Sequence, residues 1–121
     1  MINKDKINKV FVYGTLKKGY HNHIRLLSTS TFLGDFLTSP KYNMISLGGF
    51  PGVLKYGKTS ILGEVYEVDD GTFYQLDCLE GYPRMYTRDK IKTTYGKAWM
   101  YIYNTSRQYT TKEFIKSGVW E

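Results

Sequence analysis

The segment 98–103 reads Ala-Trp-Met-Tyr-Ile-Tyr, an unbroken run of apolar and aromatic residues that favour β-structure. Successive side chains of a strand point to opposite faces of a sheet, so this strand would be apolar on both faces. Both faces must therefore be covered. The run predicts a central strand with a core on one side and a covering element on the other.

Shorter patterns predict the elements around this strand. Further strands are expected at 10–13, 31–37, 61–68 and 86–94, two small strands within 42–56, a hairpin turn at Tyr95-Gly96, and helices at 22–27, at 71–80 and after the capping box that starts at Thr110. The pattern predicts an α+β fold: a small mixed β-barrel, closed or nearly closed, with two or three packed helices. At this length we expect one domain, 1–121, with a polar N-terminal extension at 1–8.

Charge and cysteine content limit the classes of function. The chain has 17 basic and 11 acidic residues, a net charge of +6, but the charges are scattered, which argues against specific nucleic-acid binding. A single cysteine, Cys78, excludes an intrachain disulfide and a multi-cysteine metal site. No apolar stretch approaches the length of a signal segment or membrane span, so we expect a cytoplasmic protein without a membrane partner.

A carboxylate lies on the apolar face of the helix expected between Asp69-Asp70 and Gly81. Phe73, Leu76 and Glu80 follow i, i+3, i+7 spacing and share one face, which directs Glu80 inward. Desolvation and the partial negative charge of the helix C-terminus should both raise the pKa of Glu80, which makes it a candidate general base. The alternative is that Glu80 turns outward at the cap and forms a surface ion pair.

The first strand runs into Tyr13-Gly14-Thr15-Leu16. A glycine at the end of a strand lets the following backbone N–H groups turn toward a ligand, and such loops bind carboxylates and oxyanions. The alternative is a purely structural turn. The segment 14–19 lacks the spacing of a nucleotide-binding P-loop.

Taken together, these motifs resemble the gamma-glutamylcyclotransferase-like family, most closely its gamma-glutamylamine cyclotransferases. The residues that carry the resemblance are Tyr13 to Leu16, Lys18-Gly19, Asn22, Phe50-Pro51-Gly52, Gly63 to Tyr66, Glu80, Tyr86 and Arg88, spread over residues 10–103. Two features depart from the family pattern: Phe50 stands where the family often has tyrosine, and the lysine-rich N-terminus has no counterpart.

The resemblance implies a reaction in which the α-amine of a γ-glutamyl group attacks its own γ-carbonyl and releases 5-oxoproline and an amine. No cofactor is implied, and the partner is a small-molecule γ-glutamyl substrate. Glu80 would be the catalytic acid and base. The substrate-binding residues would be Tyr13, Gly14, Thr15, Leu16 and Tyr86.

Other candidates have ordinary structural explanations. Tyr86 and Tyr103 could simply be amphipathic wall residues, and Arg88 could brace an acidic neighbour such as Asp77. His21 and His23 are two positions apart, on opposite sides of a helix, so no metal site is predicted. Cys78 falls away from the Glu80 face and has no expected histidine partner, which argues against a cysteine nucleophile.

Three functions stay open at this point. One is a cyclotransferase, another is a non-catalytic module on the same fold that binds a small anion or nucleic acid, and the last is a related lyase or amidotransferase-like enzyme acting on a larger γ-glutamylated product. The residues named concern the glutamyl half of a substrate, so they do not identify the amine that is released. The oligomeric state is open as well.

Overall fold

The computed structural model describes residues 6–121. Its strands are β1 (Ile7–Val12), β2 (Thr31–Leu37), β3 (Tyr42–Ser46), β4 (Pro51–Thr59), β5 (Leu62–Asp69), β6 (Tyr86–Thr93) and β7 (Gly96–Tyr103). The helices are α1 (His21–Leu26) and α2 (Asp70–Glu80), and a 3₁₀ turn spans Thr111–Glu113. Residues 1–5 of the expected N-terminal extension lie outside the described residues, whereas Ile7 and Asn8 belong to β1.

The strands form two sheets. A five-stranded sheet has the order β2-β5-β1-β7-β6, in which β1 and β7 are parallel and the other neighbours antiparallel, and β3 and β4 form a separate hairpin. The α+β prediction is therefore confirmed. The predicted barrel is not confirmed, because the hydrogen-bonded ladders of residues 6–121 do not close on themselves and the β3–β4 hairpin packs without joining the large sheet.

Both faces of β7 are covered, as the apolar run predicts. Ala98, Met100 and Ile102 belong to one core cluster, which also takes residues from the β3–β4 hairpin. On the opposite face Tyr101 joins a second cluster with residues of α2, and Trp99 packs against it. The two clusters on either side of one sheet explain why the apolar and aromatic run at 98–103 is stable here.

Helix α2 begins and ends where its capping residues predict. The Asp69 side chain accepts a hydrogen bond from the Thr72 N–H at 2.7 Å, which caps the N-terminus. Gly81 ends the helix in the left-handed conformation, with φ of 66°. Phe73 and Leu76 are the buried residues of this helix, so its inward face is the one that the spacing predicts. No helix within residues 6–121 has the length and apolar character needed to cross a membrane.

The predicted C-terminal helix is wrong. The Thr110 N–H does donate to the Glu113 carboxylate at 2.8 Å, as in a capping box, but only the short 3₁₀ turn follows. The chain then becomes extended, because Phe114 forms a β-bridge with Ile45 and the Ile115 N–H donates to the Met44 carbonyl at 2.7 Å. Tertiary pairing with β3 outweighs the local helix signal.

The predicted position of the β6–β7 turn is wrong by one residue. Thr93 pairs with Gly96, so the loop residues are Thr94 and Tyr95. Gly96 has a φ of 103° and is the first residue of β7. The glycine was expected within the loop, but its positive φ is needed at the position where the chain re-enters the ladder.

Candidate active site

A cavity of about 220 Å³ opens between the end of β1, the end of α2 and the start of β4. Its lining contains every candidate site residue: Glu80, Tyr13, Gly14, Thr15, Leu16 and Tyr86. The remaining lining residues are Phe11, Val12, Asn22, Gly49, Phe50, Pro51, Leu79, Met85 and Tyr101. The fold thus brings together two motifs that lie more than sixty residues apart in the chain.

Glu80 is the only charged residue in this lining. Desolvation by burial raises its pKa to about 7. Within residues 6–121 the Glu80 carboxyl group has no ion-pair partner, and desolvation is the cause of its shift. Its negative charge contributes to the raised pKa values of Tyr13, Tyr86 and Tyr101, so it lies close to these three phenols. The surface ion pair considered for Glu80 is therefore not formed.

The loop after β1 is a tight turn. The Lys17 N–H donates to the Gly14 carbonyl at 3.0 Å, which leaves the N–H groups of Thr15 and Leu16, the central residues of the turn, outside the turn's own hydrogen bond. Gly14 is required by close packing, since a Cβ there would lie 2.8 Å from the ring of Pro51. The loop is also braced, because Asn22 Nδ2 donates to the Thr15 hydroxyl at 2.9 Å.

The hydroxyls of the two candidate tyrosines are bound to backbone carbonyls. Tyr13 donates to the Tyr101 carbonyl at 2.8 Å, and Tyr86 donates to the Pro51 carbonyl at 2.7 Å. The two phenols therefore fix neighbouring segments, and their rings form the cavity wall. Tyr103 lies outside the cavity lining and packs edge-on against Tyr86, with ring centroids 5.5 Å apart.

Sequence reasoning missed Tyr101, whose ring lines the cavity beside Glu80. Its hydroxyl donates to Asp77 Oδ1 at 2.7 Å. The same carboxylate receives two hydrogen bonds from Arg88, at 3.0 and 3.1 Å, so the expectation that Arg88 braces Asp77 is confirmed. The alternation of β7 could have identified Tyr101, because Trp99, Tyr101 and Tyr103 share one strand face.

The histidines and the cysteine lie outside the cavity lining. His23 Nδ1 lies 3.1 Å from the Leu16 carbonyl oxygen, and its ring packs against Tyr66. His23 therefore supports the loop from behind. Cys78 is exposed on α2, on a different side from Glu80.

Comparison with known proteins shows the family of this chain. A family model described as gamma-glutamyl cyclotransferase, AIG2-like, matches residues 10–121. The chain belongs to this family. It is 47% identical over 111 residues to a Vibrio cholerae protein that carries a provisional gamma-glutamylcyclotransferase name, covering 92% of this chain and 93% of that protein.

Other family relatives cover nearly the whole chain. The gamma-glutamylcyclotransferase family protein YtfP of Escherichia coli is 38% identical over 112 residues, which is 93% of this chain and 95% of that one. The crystal structure of an uncharacterised Pyrococcus horikoshii protein superposes with a TM-score of 0.78 at 31% identity, over 93% and 88% of the two chains. Membership in this cyclotransferase family supports an enzyme with a small γ-glutamyl substrate.

Proposed function

We propose that this protein releases 5-oxoproline and a free amine from a γ-glutamyl amide. The substrate's α-amine attacks its own γ-carbonyl, the C–N bond to the leaving amine breaks, and Glu80 transfers the proton. The observation that carries this proposal is that Glu80 lines the same cavity as Thr15 and Leu16, where burial raises its pKa to about 7. A γ-glutamylamine cyclotransferase activity of this kind needs no cofactor.

The pKa of Glu80 suits proton transfer from an ammonium group. A free α-amine has a pKa near 8 and is mostly protonated at neutral pH, so it cannot attack until a base removes its proton. An ordinary glutamate, with a pKa of roughly 4.3, is a weak base for this step. Burial raises the pKa of Glu80 to about 7, which brings the two groups within about one unit of each other and makes the transfer nearly balanced.

The loop after β1 would hold the glutamyl group in a folded conformation. The N–H groups of Thr15 and Leu16 are the candidate donors for the substrate α-carboxylate or for the oxyanion that develops on the γ-carbonyl. The rings of Tyr13 and Tyr86 limit the space in which the glutamyl chain can extend. Fixing the two reacting groups in near-attack geometry can lower the barrier by up to roughly 7–11 kcal/mol.

The same carboxyl group completes the reaction. On the way from an ammonium group to the lactam N–H, the α-nitrogen loses two protons, one that frees its lone pair and one on ring closure, and the departing nitrogen gains two and leaves as an ammonium ion. Passing each proton in turn through Glu80 balances the step and restores the carboxylate. One residue therefore acts first as base and then as acid.

The direct test incubates the purified protein with a panel of γ-glutamyl alkylamides, γ-glutamyl-lysine and a γ-glutamyl peptide, and follows 5-oxoproline by mass spectrometry. We expect release from at least one amide, and a rise in kcat/KM with pH through about 7, because the carboxylate form is the active one. Glu80→Gln should fold and lose this activity. A folded wild-type protein that releases no 5-oxoproline from any member of the panel would contradict the proposal.

A second candidate function rests on a different groove. A cavity of about 610 Å³ beside β6 is lined by basic side chains, namely Lys41, Lys55, Lys90 and Lys92. This groove favours a module that binds a small anion or nucleic acid, with affinity that falls as salt rises. Such binding would be unchanged in Glu80→Gln, which separates it from the cyclotransferase. One of the four lysines, Lys55, is already paired with Asp89 at 2.7 Å, so this candidate is the weaker one.

A further inference from the structure

The cavity differs in character between its buried floor and its opening. The rings of Tyr13, Tyr86 and Tyr101 lie at the buried end, and the half-buried Glu80 lies beside them. The exposed lining residues, which define the mouth of the cavity, are Gly49, Phe50 and Met85. Phe50 is 36% exposed and Met85 is 40% exposed. Two large apolar side chains thus border the opening.

The mouth is held in place by the contacts around Pro51. The Tyr86 hydroxyl binds the Pro51 carbonyl, and Gly14 packs against the Pro51 ring, so the residue before this proline has a fixed position. The Leu47 N–H donates to the Phe50 carbonyl at 2.8 Å and closes the β3–β4 turn. Phe50 therefore presents its ring to the opening as part of an organised wall.

The direction of a bound substrate follows from the proposed function, on which this step rests. Glu80 must contact the α-amine, so the glutamyl group occupies the buried end. The cavity volume of about 220 Å³ is below the roughly 300–1,000 Å³ of sites that enclose a drug-sized ligand. The leaving amine must then extend through the mouth, between Phe50 and Met85.

We infer that the leaving group is an uncharged, apolar amine, and that Phe50 and Met85 select it. Within the described chain Glu80 is the only charged residue that lines the cavity, and it is engaged with the α-amine. A cationic or anionic leaving group would lose hydration at the mouth without gaining a counter-ion, whereas an alkyl group gains apolar contact there. The net charge of +6 further disfavours a cationic leaving group.

Three substrates of nearly equal length test this selection. They are the γ-glutamyl amides of n-hexylamine, of 1,5-diaminopentane and of 6-aminohexanoate, which end in a methyl, an ammonium and a carboxylate group. All three release a primary alkylamine, so the reacting bond is the same. We expect kcat/KM for the hexylamide to exceed kcat/KM for each charged amide by about 10-fold to 100-fold.

A charge introduced at the mouth should change the preference. In Met85→Glu the ratio of kcat/KM for the hexylamide to that for the aminopentylamide should fall by roughly threefold to tenfold, and the change should shrink at high salt. Met85→Gln is the matched neutral control and should alter the ratio much less. Because each ratio is measured on a single variant, an effect of residue 85 on the basicity of Glu80 cancels.

The outcomes separate this inference from the function on which it rests. Preference for the hexylamide, together with the shift in Met85→Glu but not in Met85→Gln, supports the inference. Equal or faster release from a charged amide overturns it while leaving the cyclotransferase intact. Absence of 5-oxoproline from all three amides and from the wider panel overturns the cyclotransferase itself.

Discussion

Two carboxylates on the last turns of α2, three residues apart, lie in opposite environments. Asp77 receives two hydrogen bonds from Arg88 and one from the Tyr101 hydroxyl. Glu80 lines the cavity, with no cationic partner among the described residues, and burial raises its pKa to about 7. Less than one full turn of helix therefore separates a hydrogen-bonded, ion-paired carboxylate from one whose pKa is close to neutral pH.

The difference lies in what each side of the helix end meets. Arg88 is surrounded by the rings of Phe73, Tyr82 and Trp99, each with its centroid within 4.5 Å of the guanidinium carbon, and this enclosure directs its donors to Asp77. Glu80 faces a wall of tyrosine rings and apolar side chains. A half-buried carboxylate without a cationic partner among residues 6–121 opposes folding, so its presence in a cavity points to a functional role.

The largest effect should come from neutralising each carboxylate in turn and measuring 5-oxoproline release. We expect Glu80→Gln to lower kcat/KM by about 10²–10⁴-fold, the range of a lost general acid and base. Asp77→Asn keeps the shape and leaves Glu80 in place, so its effect should be far smaller in protein that remains folded. Equal losses in the two folded variants would remove the functional distinction between them.

Breaking the ion pair between Arg88 and Asp77 should cause the largest loss of folding stability. Arg88 and Asp77 have side chains that are 15% and 18% exposed, so Arg88→Ala leaves a shielded carboxylate without its cation. We expect a loss of about 3 kcal/mol in the free energy of unfolding, measured by urea denaturation at pH 7.

Arg88→Lys is the matched control for this loss, since it keeps the charge but not the two-pronged hydrogen bond, and it should lose less. If Arg88→Ala unfolds at the wild-type urea concentration, Asp77 does not depend on this partner.

The carboxylate of Glu80 should destabilise the folded protein, whereas that of Asp77 stabilises it, and the effect of Glu80 should depend on pH. Because folding raises the pKa of Glu80, the native state binds the proton more tightly than the unfolded chain, and ionisation opposes folding as pH rises from about 4.5 to 7. Glu80→Gln removes this opposition. Relative to wild type, it should gain about 2–3 kcal/mol in unfolding free energy between pH 5 and pH 8.

Urea denaturation of both proteins at the two pH values measures this gain. A difference between wild type and Glu80→Gln that stays constant from pH 5 to pH 8 would mean that the carboxyl group of Glu80 is hydrated in the native state.

The smallest effect should come from removing the hydroxyl of Tyr101, a residue that binds Asp77 and also lines the cavity with Glu80. Tyr101→Phe keeps the ring in the cavity wall and deletes the hydrogen bond to Asp77, so we expect a loss of about 1 kcal/mol in unfolding free energy. The rate of 5-oxoproline release should change only severalfold. A loss of activity as large as that of Glu80→Gln would instead give the hydroxyl a direct part in the reaction.

Local signals in the sequence were enough to predict α2 and the orientation of its inward face. The cap at Asp69, the glycine at 81 and the spacing of Phe73 and Leu76 all lie within a dozen residues, and the helix begins and ends as they indicate. Strand β2 likewise has its predicted bounds, Thr31–Leu37. When one segment contains its own start signal, stop signal and hydrophobic periodicity, tertiary contacts change its secondary structure little.

Structural features that depend on contacts between distant segments were predicted less accurately. The capping box at Thr110 is real, but pairing of Phe114 with Ile45 pulls the following residues into an extended path. The parallel contact of β1 with β7 joins segments far apart in the chain, and no local pattern specifies it or the separation of the β3–β4 hairpin from the large sheet. The alternation of β7 marks the face on which Tyr101 lies, but its contact with Asp77 depends on the packing of α2 against that face.

The β3–β4 hairpin contributes Phe50 to the opening of the cavity, yet it shares no ladder with the sheet that carries the Tyr13 loop. It meets that loop at Pro51, and it meets β6 through the hydrogen bond from Tyr86 to Pro51 and the ion pair between Lys55 and Asp89. Under the proposed function, the contribution of Phe50 to substrate choice therefore comes from a part of the protein that is built separately from the catalytic carboxylate. Substitutions in the hairpin tip at 47–50 would then change which amides are accepted while leaving the acid–base chemistry of Glu80 intact. A new specificity would therefore require few mutations.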